Sequence, residues 1–492
     1  MNINQLLLTG ILLLPISGII LLLIWRSASK KQAAVVALIS EGFAFVIPLV
    51  LLGELRAGQP VAFSIPWIKS LGISFSLELS WLSLVFLLTE VLVTLAAMVY
   101  SLGETDGEKA NSNYYYSLLL LFSLGMSGTT LANDVFLFYV FWELMLIGSV
   151  LLILFWGSGK NRSQVALKYF IITHIGSLLV LVGLIILQVQ TGTASMTELA
   201  LRAGSLPGGT QTLLTLFFLI GFSVKMAIFP VHIWLPDAHT VAPMPVTIVL
   251  AAAMLSMGAY GILRFPMAFF PIETMQPFAI WMMAAGVISE IYGALMALAE
   301  KHVKRIIAYS SVSQMGYVLF GLGSLTAQGI TGGIMHVVYH AIVKTLLFMV
   351  VGIILKSARE KYIQNLGGLA KLLPITFVCA AIGVLGISGL PPLGIFTSEW
   401  MIFSGGFHSG SPIFLTVISL LGSLFTVFYG LRFLGTIFFG ELRPADAAGK
   451  PHQALLLSTI AVTVFLLVEG LAPEPLLTWV TRGVATVLGG GS

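Results

Sequence analysis

The residues that could do chemistry in this sequence are ionisable side chains inside long apolar runs. Glu143 lies in FYVFWELMLIGS, Lys225 in GFSVKMAIFP, and Glu290 in GVISEIYGALMAL. Glu399 follows the proline-rich segment GISGLPPLGIFTSEW. A charged side chain at the centre of a membrane helix costs roughly 2.5–3.5 kcal/mol on insertion scales, so such residues are rare and usually functional. We therefore expect these groups to move protons or ions.

Lys225 and the proline five residues after it form the most informative pair. Pro230 lacks an N–H and its ring clashes with the preceding turn, so carbonyls near residue 226 lose their partners. Inside a bilayer those carbonyls need water or polar side chains, and the break becomes hydrated. Burial weakens a lysine's hold on its proton, whereas a nearby carboxylate such as Glu143 strengthens it. We interpret Glu143 and Lys225 as a switchable proton-holding pair, with a structural ion pair as the alternative.

Histidines supply a second set of proton-carrying groups. His336, His340 and Lys344 repeat at every fourth position and lie on one helix face. Histidine and lysine can pass protons through intervening waters, which favours a hydrated relay. A polar packing seam is the plainer alternative, and a metal or haem site is a third. His232 and His239 flank the break at Pro230, where they either relay protons or make simple hydrogen bonds.

Further side chains are accessory candidates. We expect Glu399 to be a terminal proton donor or acceptor, whereas Glu290 is an accessory candidate with a structural role as the alternative. Lys168 and His174 are placed to supply protons to the buried lysine of the break. Asp237, beside a proline, is predicted to cap the segment that follows the break.

The elements that hold these residues are membrane helices. Of the 492 residues, 58% are hydrophobic and 9% charged, against about 25% charged in soluble domains. Apolar runs of roughly 20 residues, enough to cross a ~30 Å hydrocarbon core, recur throughout. We therefore predict an all-α integral membrane protein with 14 spans. The predicted spans are 5–25, 33–53, 80–101, 114–131, 134–156, 165–188, 212–240, 241–263, 276–299, 306–324, 330–356, 370–407, 413–438 and 453–472.

Basic residues indicate the orientation. With the N-terminus outside, 16 of the 24 lysines and arginines fall in the odd-numbered loops, and three fall within spans. The opposite side holds the remaining five: Arg56, Lys69, Arg202, Arg264 and Arg482. This asymmetry predicts a multi-pass protein of a prokaryotic-type cytoplasmic membrane with both termini on the outer side. The first span has no charged n-region or small-residue cleavage site and is predicted to be a retained helix.

Two long spans carry internal prolines and an ionisable residue near the break, the seventh (212–240) and the twelfth (370–407). Paired broken helices at matching places indicate inverted repeats that meet at a mid-membrane ion site. We divide the chain into N-terminal helices 1–3 (1–110), a first five-helix repeat (111–263), a second repeat (264–440), and helix 14 with the tail (441–492).

Cofactor chemistry has little support within this chain. Cys379 is the single cysteine, and iron–sulfur clusters need several. GxGxxG, Walker A and CxxC patterns are absent. We predict no cofactor or metal in the chain and no nucleic-acid partner. A haem-binding membrane electron carrier and a solitary solute transporter stay open as functions of other classes.

Four segments carry a resemblance that spans about 110–440: the stretch from GFSVKMAIFPVHIWLPDAH to LSMGAYGILRF, KRIIAYSSVSQMGYVLFGLG, HAIVKTLLFMVVG, and GLPPLGIFTSEW. They resemble the antiporter-like subunits shared by respiratory complex I, membrane-bound energy-converting hydrogenases and Mrp-type cation/proton antiporters. The resemblance implies a 14-helix fold with two inverted five-helix repeats. It also implies proton translocation along a hydrated axis in the middle of the membrane.

The resemblance assigns roles by motif. It makes Glu143 the fifth-helix glutamate, Lys225 the broken-helix lysine, Lys344 a central relay lysine, and Glu399 the terminal group of the twelfth helix. Where relatives commonly read LLKMGAYG this chain reads LSMGAYG, so Ser256 replaces a bridging lysine. Water held by Ser256, or the histidines of the eleventh span, would carry the proton past that step.

The expected function is that of a proton-translocating subunit of a complex I-related, redox-driven pump, either a quinone-linked dehydrogenase or a ferredoxin-linked hydrogenase. Iron–sulfur, flavin or nickel–iron centres would lie on hydrophilic partner subunits, beside other antiporter-like membrane subunits. The Glu399 terminus is similar to chain M-like members of complex I, whereas HAIVKTLLF is closer to Mrp. A role similar to that of the D-type component of an Mrp Na+/H+ antiporter is therefore the alternative.

Overall fold

The computed structural model describes residues 2–104, 111–443 and 451–488. Two of the basic residues used for the orientation, Lys109 and Lys450, lie outside these ranges. The helices are α1 Ile3–Ile24, α2 Lys30–Arg56, α3 Trp81–Ser101, α4 Ser112–Leu131, α5 Val135–Trp156, α6 Arg162–Thr191, α7 Met196–Arg202, α8 Gly208–Met226, α9 Leu235–Val241, α10 Met244–Val249, α11 Leu255–Arg264, α12 Pro266–Phe269, α13 Ile272–Ala299, α14 Val303–Gly323, α15 Ala327–Ala358, α16 Pro374–Ile387, α17 Gly394–Phe407, α18 Ile413–Phe438, α19 Gln453–Leu471 and α20 Glu474–Val487.

The membrane helices follow the predicted spans closely. Within the described ranges, 12 helices are long and apolar enough to cross a membrane. The predicted fourth span is α4, which is less apolar, and the twelfth is the pair α16 and α17. The mainly helical membrane architecture is as predicted, and the count of 14 spans stays a prediction.

Both predicted breaks are present. Helix α8 ends at Met226, Ala227 has a left-handed backbone (φ 57°), and α9 starts at Leu235. Helix α16 ends at Ile387, Gly389 has φ 65°, and α17 starts at Gly394. Proline in a helix interior removes a backbone donor and clashes with the preceding turn, so both helices stop before their prolines.

A small β-hairpin is an addition that the sequence analysis missed. Strands β1 (Val61–Ile68) and β2 (Ile73–Leu79) pair antiparallel, with Val61 opposite Leu79. Gly72 turns the chain with φ 68°. Pro66 stands where the register becomes irregular, as expected for a residue that cannot donate to the ladder. The hairpin covers one end of the helix bundle.

The loops gather at two ends in the way the predicted orientation requires. At the end that carries the odd-numbered loops, Ser158 N donates to Val241 O (2.8 Å) and Val303 N donates to Lys361 O (3.0 Å). At the opposite end, Asn133 N, after α4, donates to the carbonyl of the hairpin residue Ser76 (2.8 Å). The structure therefore groups odd and even loops separately, whereas the membrane side of each end stays a prediction.

The most buried helices carry the candidate site. The spans of α14, α15 and the segment Met244–Phe269 are wholly enclosed by other parts of the protein. Helices α1, α2, α6, α18 and α19 expose rows of large apolar side chains and form the outside. Helix α15 holds His336, His340 and Lys344, which together are called the histidine stripe. This helix is thus a central helix of the bundle rather than a lipid-facing one.

Candidate functional site

Glu143 on α5 contacts a histidine of the next helix. Its Oε2 lies 3.1 Å from Nδ1 of His174 on α6, and Phe170 stacks on that imidazole. Oε1 of Glu143 is buried without a hydrogen-bond partner among the described residues. The two side chains are 17% and 34% exposed. The pair therefore lies at the edge of the bundle, where an adjoining membrane subunit could reach it.

Lys225 occupies the last turn of α8, directly before the first break. Its side chain is buried, and Nζ has no hydrogen-bond partner within the described ranges. Nζ lies 4.9 Å from the ring centroid of Trp142, whose indole donates to Ser177 Oγ (2.9 Å). Glu143 is close enough to act on Lys225 electrostatically, but the two make no ion pair in this structure. The structural ion pair of the alternative interpretation is therefore absent, and Glu143 contacts His174.

The break itself is held by side chains from neighbouring elements. The indole of Trp234 donates to Val224 O (3.0 Å), and Ser289 Oγ accepts from Phe229 N (2.8 Å). These bonds satisfy backbone groups that the break leaves free, as a hydrocarbon environment demands. His232 is buried among aromatic rings, and its Nδ1 has no partner in the described structure.

Lys168 belongs to an ion-pair network at the odd-loop end. It donates to Asp237 Oδ2 (2.7 Å), and Arg305 donates to Asp237 Oδ1 (2.6 Å) and to Glu300 Oε2 (2.8 Å). Glu300 lies between α13 and α14; burial raises its pKa, but hydrogen bonds from Arg305 and from loop amides outweigh this and lower the pKa below the usual value. The prediction that Asp237 caps a helix is wrong, because both of its oxygens bind basic side chains.

Ser256 lies just beyond a π-helical turn, Leu250–Met254, that joins α10 to α11. It is buried, and its hydroxyl donates to the carbonyl of Ala253. A side-chain carbon at Gly258 would lie 2.7 Å from Phe222 O, so α11 touches the end of α8. The serine that replaces the expected lysine therefore lies two residues from the contact between α11 and the first broken helix.

Helix α15 carries the histidine stripe toward α14 and α17. His336 Nδ1 lies 3.1 Å from Ser398 Oγ, and Nε2 lies 3.1 Å from Gln314 Oε1. His340 is buried, and its Nε2 lacks a partner among the described residues. Both nitrogens of His336 are thus satisfied, as in a packing seam, whereas His340 keeps a free nitrogen for a water or a proton. Within the described ranges no three His, Cys, Asp or Glu side chains gather as a metal site.

Lys344 closes the stripe. It is fully buried, and its Nζ donates to Ile307 O (2.9 Å) and to the hydroxyl of Ser310 on α14. His239, on the second half of the first broken helix, lies within electrostatic range of Lys344. Both ring nitrogens of His239 are buried without partners in the described structure. His239 therefore lies near the central lysine as well as beside the first break.

The second half of the chain holds two further buried carboxylates, Glu399 and Glu290. Glu399, on α17, folds against the second break, where a side-chain carbon at Gly389 would meet its Oε2 at 2.3 Å. Its Oε1 is buried without a partner within the described ranges. Glu290 accepts from Ser419 Oγ (2.6 Å), and Tyr317 lies beside it.

A protein-family comparison decides what this arrangement is. The model of the NADH:quinone oxidoreductase/Mrp antiporter transmembrane family matches residues 132–426. This range includes both breaks and all the ionisable residues described above. The chain belongs to this family.

Sequence relatives of the family cover nearly the whole chain. NADH-quinone oxidoreductase subunit M of Rickettsia conorii is 30% identical over 485 residues, covering 96% of this chain and 97% of the relative. Subunit M of Escherichia coli K12 is 34% identical over 431 residues, covering 84% and 82%. Antiporter subunit mnhA2 of Staphylococcus saprophyticus is 33% identical over 481 residues, covering 92% of this chain and 60% of the relative.

Solved structures share the fold. A chain of the Mrp complex from Dietzia superposes with a TM-score of 0.88 at 22% identity, covering 99% of this chain and 98% of that one. A chain of the archaeal membrane-bound sulfane sulfur reductase gives 0.87 at 27% identity, covering 96% and 77%. A chain of respiratory complex I from Thermus thermophilus gives 0.85 at 24%, covering 98% and 99%. The predicted family and membrane fold are confirmed, and the chain is an antiporter-like membrane subunit.

Several members of this polar interior were not among the predicted site residues. Lys304, expected in a loop, is buried in the first turn of α14 and donates to Ala242 O (2.8 Å). Glu41 and Glu90 are fully buried, and Ser123 Oγ donates to Glu41. Glu469 lies inside the predicted span 453–472 and is absent from the predicted site. A lone carboxylate in an apolar run was the available signal for Glu469.

Proposed function

We propose that this antiporter-like subunit translocates protons across a prokaryotic cytoplasmic membrane within a complex I-related, redox-driven assembly. The observation that carries the proposal is the buried line of ionisable groups along the middle of the bundle. Its two lysines, Lys225 and Lys344, have no carboxylate ion-pair partner among the described residues. Uncompensated charges of this kind in a membrane interior are costly and mark ion pathways.

The proposed path runs from the odd-loop end inward. Lys168 or His174 supplies a proton to Lys225 beside the first break. Water near Ser256, with His239 and His340, carries it to Lys344. The proton then passes along the stripe to Glu399 at the second break. The odd-loop end faces the cytoplasm because it carries the excess of basic residues, which also puts both termini outside.

Glu143 couples this path to a neighbour. Its partly exposed contact with His174 lies at the bundle edge, within electrostatic reach of Lys225. A change of charge on an adjoining membrane subunit would move the carboxylate and alter how tightly Lys225 holds its proton. Both Mrp and complex I, whose chains share this fold, are assemblies of several subunits.

The similarity to subunit M of NADH-quinone oxidoreductases over 96% of this chain supports the redox-driven setting. Iron–sulfur, flavin or nickel–iron centres would then be on hydrophilic partners. An Mrp-type Na+/H+ antiporter is the second candidate, favoured by the 33% identity to the staphylococcal antiporter subunit.

The test is purification of the tagged chain in mild detergent, mass spectrometry of its partners, and proton uptake by vesicles holding the assembly. We expect redox subunits to co-purify and an added reductant to drive proton movement. A set of purely hydrophobic partners with Na+-driven proton movement would replace this setting with the antiporter. Proton movement by the solitary chain would contradict the subunit role itself.

A further inference from the structure

A cavity at the odd-loop end has a basic lining that the proton path does not use. Its volume of about 300 Å³ is at the lower end of the range of ligand sites, roughly 300–1,000 Å³. Lysines from three helices line it, Lys30 of α2, Lys304 of α14 and Lys356 of α15, together with Ser158 of the odd-loop end. Glu104 is the only carboxylate among the described lining residues, so the lining is net positive.

Two of these lysines meet at the end of α3. The ammonium group of Lys30 donates to the carbonyl of Glu104, and that of Lys356 donates to the carbonyl of Gly103 (3.4 Å). Consecutive Cα atoms lie about 3.8 Å apart, so the two carbonyls, and with them the two ammonium groups, lie close together. Neighbouring positive charges from different helices attract an anion.

The third lysine lies deeper in the protein. Lys304 is 7% exposed, and its Nζ donates to the carbonyl of Ala242 (2.8 Å), which also lines the cavity. An ammonium group has three donors. In the described parts of the chain, Lys304 and Lys356 each use one donor and make no ion pair with a carboxylate. Both lysines therefore keep donors for a ligand.

A tyrosine adds a hydroxyl group to the wall. The hydroxyl of Tyr115 is buried and has no hydrogen-bond partner among the described residues, whereas that of Tyr116 contacts Ser101 Oγ (2.7 Å). The Tyr115 ring packs edge-on against Tyr116 (5.3 Å) and Trp156 (5.6 Å). A buried hydroxyl without a partner is unfavourable. An acceptor oxygen in the cavity would satisfy it.

One wall of the cavity adjoins the outer surface of the bundle. Trp156 and Leu355 line this cavity. Phe155, which is 56% exposed, contacts the Trp156 ring with its own (6.0 Å between centroids). Tryptophan and tyrosine are typical of the level of the lipid headgroups. The lysines therefore lie behind aromatic rings that border an apolar, exposed side chain.

We propose that this cavity binds a phosphate group, which belongs either to an anionic phospholipid or to a soluble phosphate compound. Lys30, Lys304, Lys356 and the Tyr115 hydroxyl would donate to its oxygens, since lysine binds phosphate as a point charge. Basic pockets between membrane helices on the cytoplasmic side bind anionic headgroups, and the proposed orientation puts the odd-loop end there. The adjoining apolar surface favours the phospholipid. The bound group would join α2 to α14 and α15.

The first test is protection of the lysines in the purified, delipidated wild-type assembly. Limited acetylation by N-hydroxysuccinimide acetate is followed by mass spectrometry with phosphatidylglycerol, phosphatidylcholine or inorganic pyrophosphate added. We expect saturating phosphatidylglycerol to slow acetylation of Lys30 and Lys356 at least about tenfold, and phosphatidylcholine to have little effect. Lys31 and Lys160, which are exposed and lie outside the cavity, are the internal controls. Equal protection by pyrophosphate would assign the site to soluble phosphate compounds.

The second test removes two charges from the cavity. The variant Lys30→Gln/Lys356→Gln is compared with Lys31→Gln/Lys160→Gln, which removes two charges from the exposed surface at the same end. We expect phosphatidylglycerol to raise the Tm of the wild type and of the control above the value in phosphatidylcholine, because a ligand that binds the folded state stabilises it. In the cavity variant this rise should fall below half.

Three outcomes overturn the inference. Acetylation of Lys30 and Lys356 at the same rate with and without each probe shows that no phosphate binds. Equal protection by both lipids shows that the cavity does not select an anion. An unchanged Tm rise in the cavity variant places the anionic lipid elsewhere. If the cavity variant does not assemble, the wild-type acetylation decides. Neither measurement uses proton movement, so this inference is tested separately from the proposed function.

Discussion

At the residue scale, Glu143 and Lys225 contact different partners although they are close enough to interact electrostatically. Glu143 binds His174 on the outer side, while Lys225 lies over the Trp142 ring on the inner side. The carboxylate can still act through space on the lysine. Because it is partly exposed, its orientation can respond to a neighbouring subunit, which a buried ion pair could not do.

Replacing Glu143 by Gln tests this electrostatic role. An opposite charge within about 4–6 Å changes proton affinity by tenfold or more. We therefore expect Glu143→Gln to lower the pumping rate of the assembled complex at least about tenfold while leaving the amount of complex unchanged. Glu198→Gln, which removes a surface ion pair with Arg202, is the control and should pump normally. Equal rates for the two variants would contradict the role of Glu143.

Residue types in apolar context were enough to find Lys225, Lys344, Glu290 and Glu399, since charge inside a span is conspicuous in a sequence. Their partners could not be found in this way. The Ser310 hydroxyl against Lys344, for example, comes from a different helix and depends on how helices pack. Tyrosines and serines are also too common in membrane helices to stand out.

At the element scale, the two breaks were predictable and the π turn was not. The prolines predict both breaks, because a proline in a helix interior removes a backbone donor and clashes with the preceding turn. The π turn Leu250–Met254 has the sequence LAAAM, which reads as ordinary helix. Such turns are frequently found at functional sites, and this one precedes Ser256.

Ser256→Lys tests whether this element lies beside water. A hydrated site can solvate an ammonium, so we expect the variant to assemble and to keep most of its pumping rate. Ser149 is buried between α5 and α6, where it contacts the Tyr169 hydroxyl at 2.8 Å. Ser149→Lys should lower the yield of assembled protein, measured by size-exclusion chromatography and quantitative blotting. If Ser256→Lys fails to assemble as Ser149→Lys does, the site is dry.

At the scale of the whole molecule, hydropathy located the spans, since about 20 apolar residues are needed to cross the bilayer. It could not show that α14 and α15 form the enclosed centre, because α14 is less apolar than the lipid-facing helices and α15 is about as apolar as they are. The hairpin 61–79 was missed because its strands lie in a connecting segment, next to helices with much stronger patterns. The repeat boundaries stay predictions.

The arrangement of the whole molecule leads to one prediction, which concerns the two broken helices together. Lys225 and Glu399 lie on the two broken helices, in separate predicted repeats, and α15 is wholly buried within the bundle. If the two breaks serve one proton path, a block at either should stop the same flow. If the two breaks serve separate proton paths, a substitution that blocks one break should leave part of the proton flow intact.

The decisive measurement is the initial rate of proton movement by the purified assembly in proteoliposomes, for Lys225→Ala and Glu399→Gln beside the exposed control Lys69→Ala. We expect Lys225→Ala and Glu399→Gln each to lose nearly all proton movement at unchanged assembly, and Lys69→Ala to match the wild type. Full pumping by Lys225→Ala would contradict the mechanism.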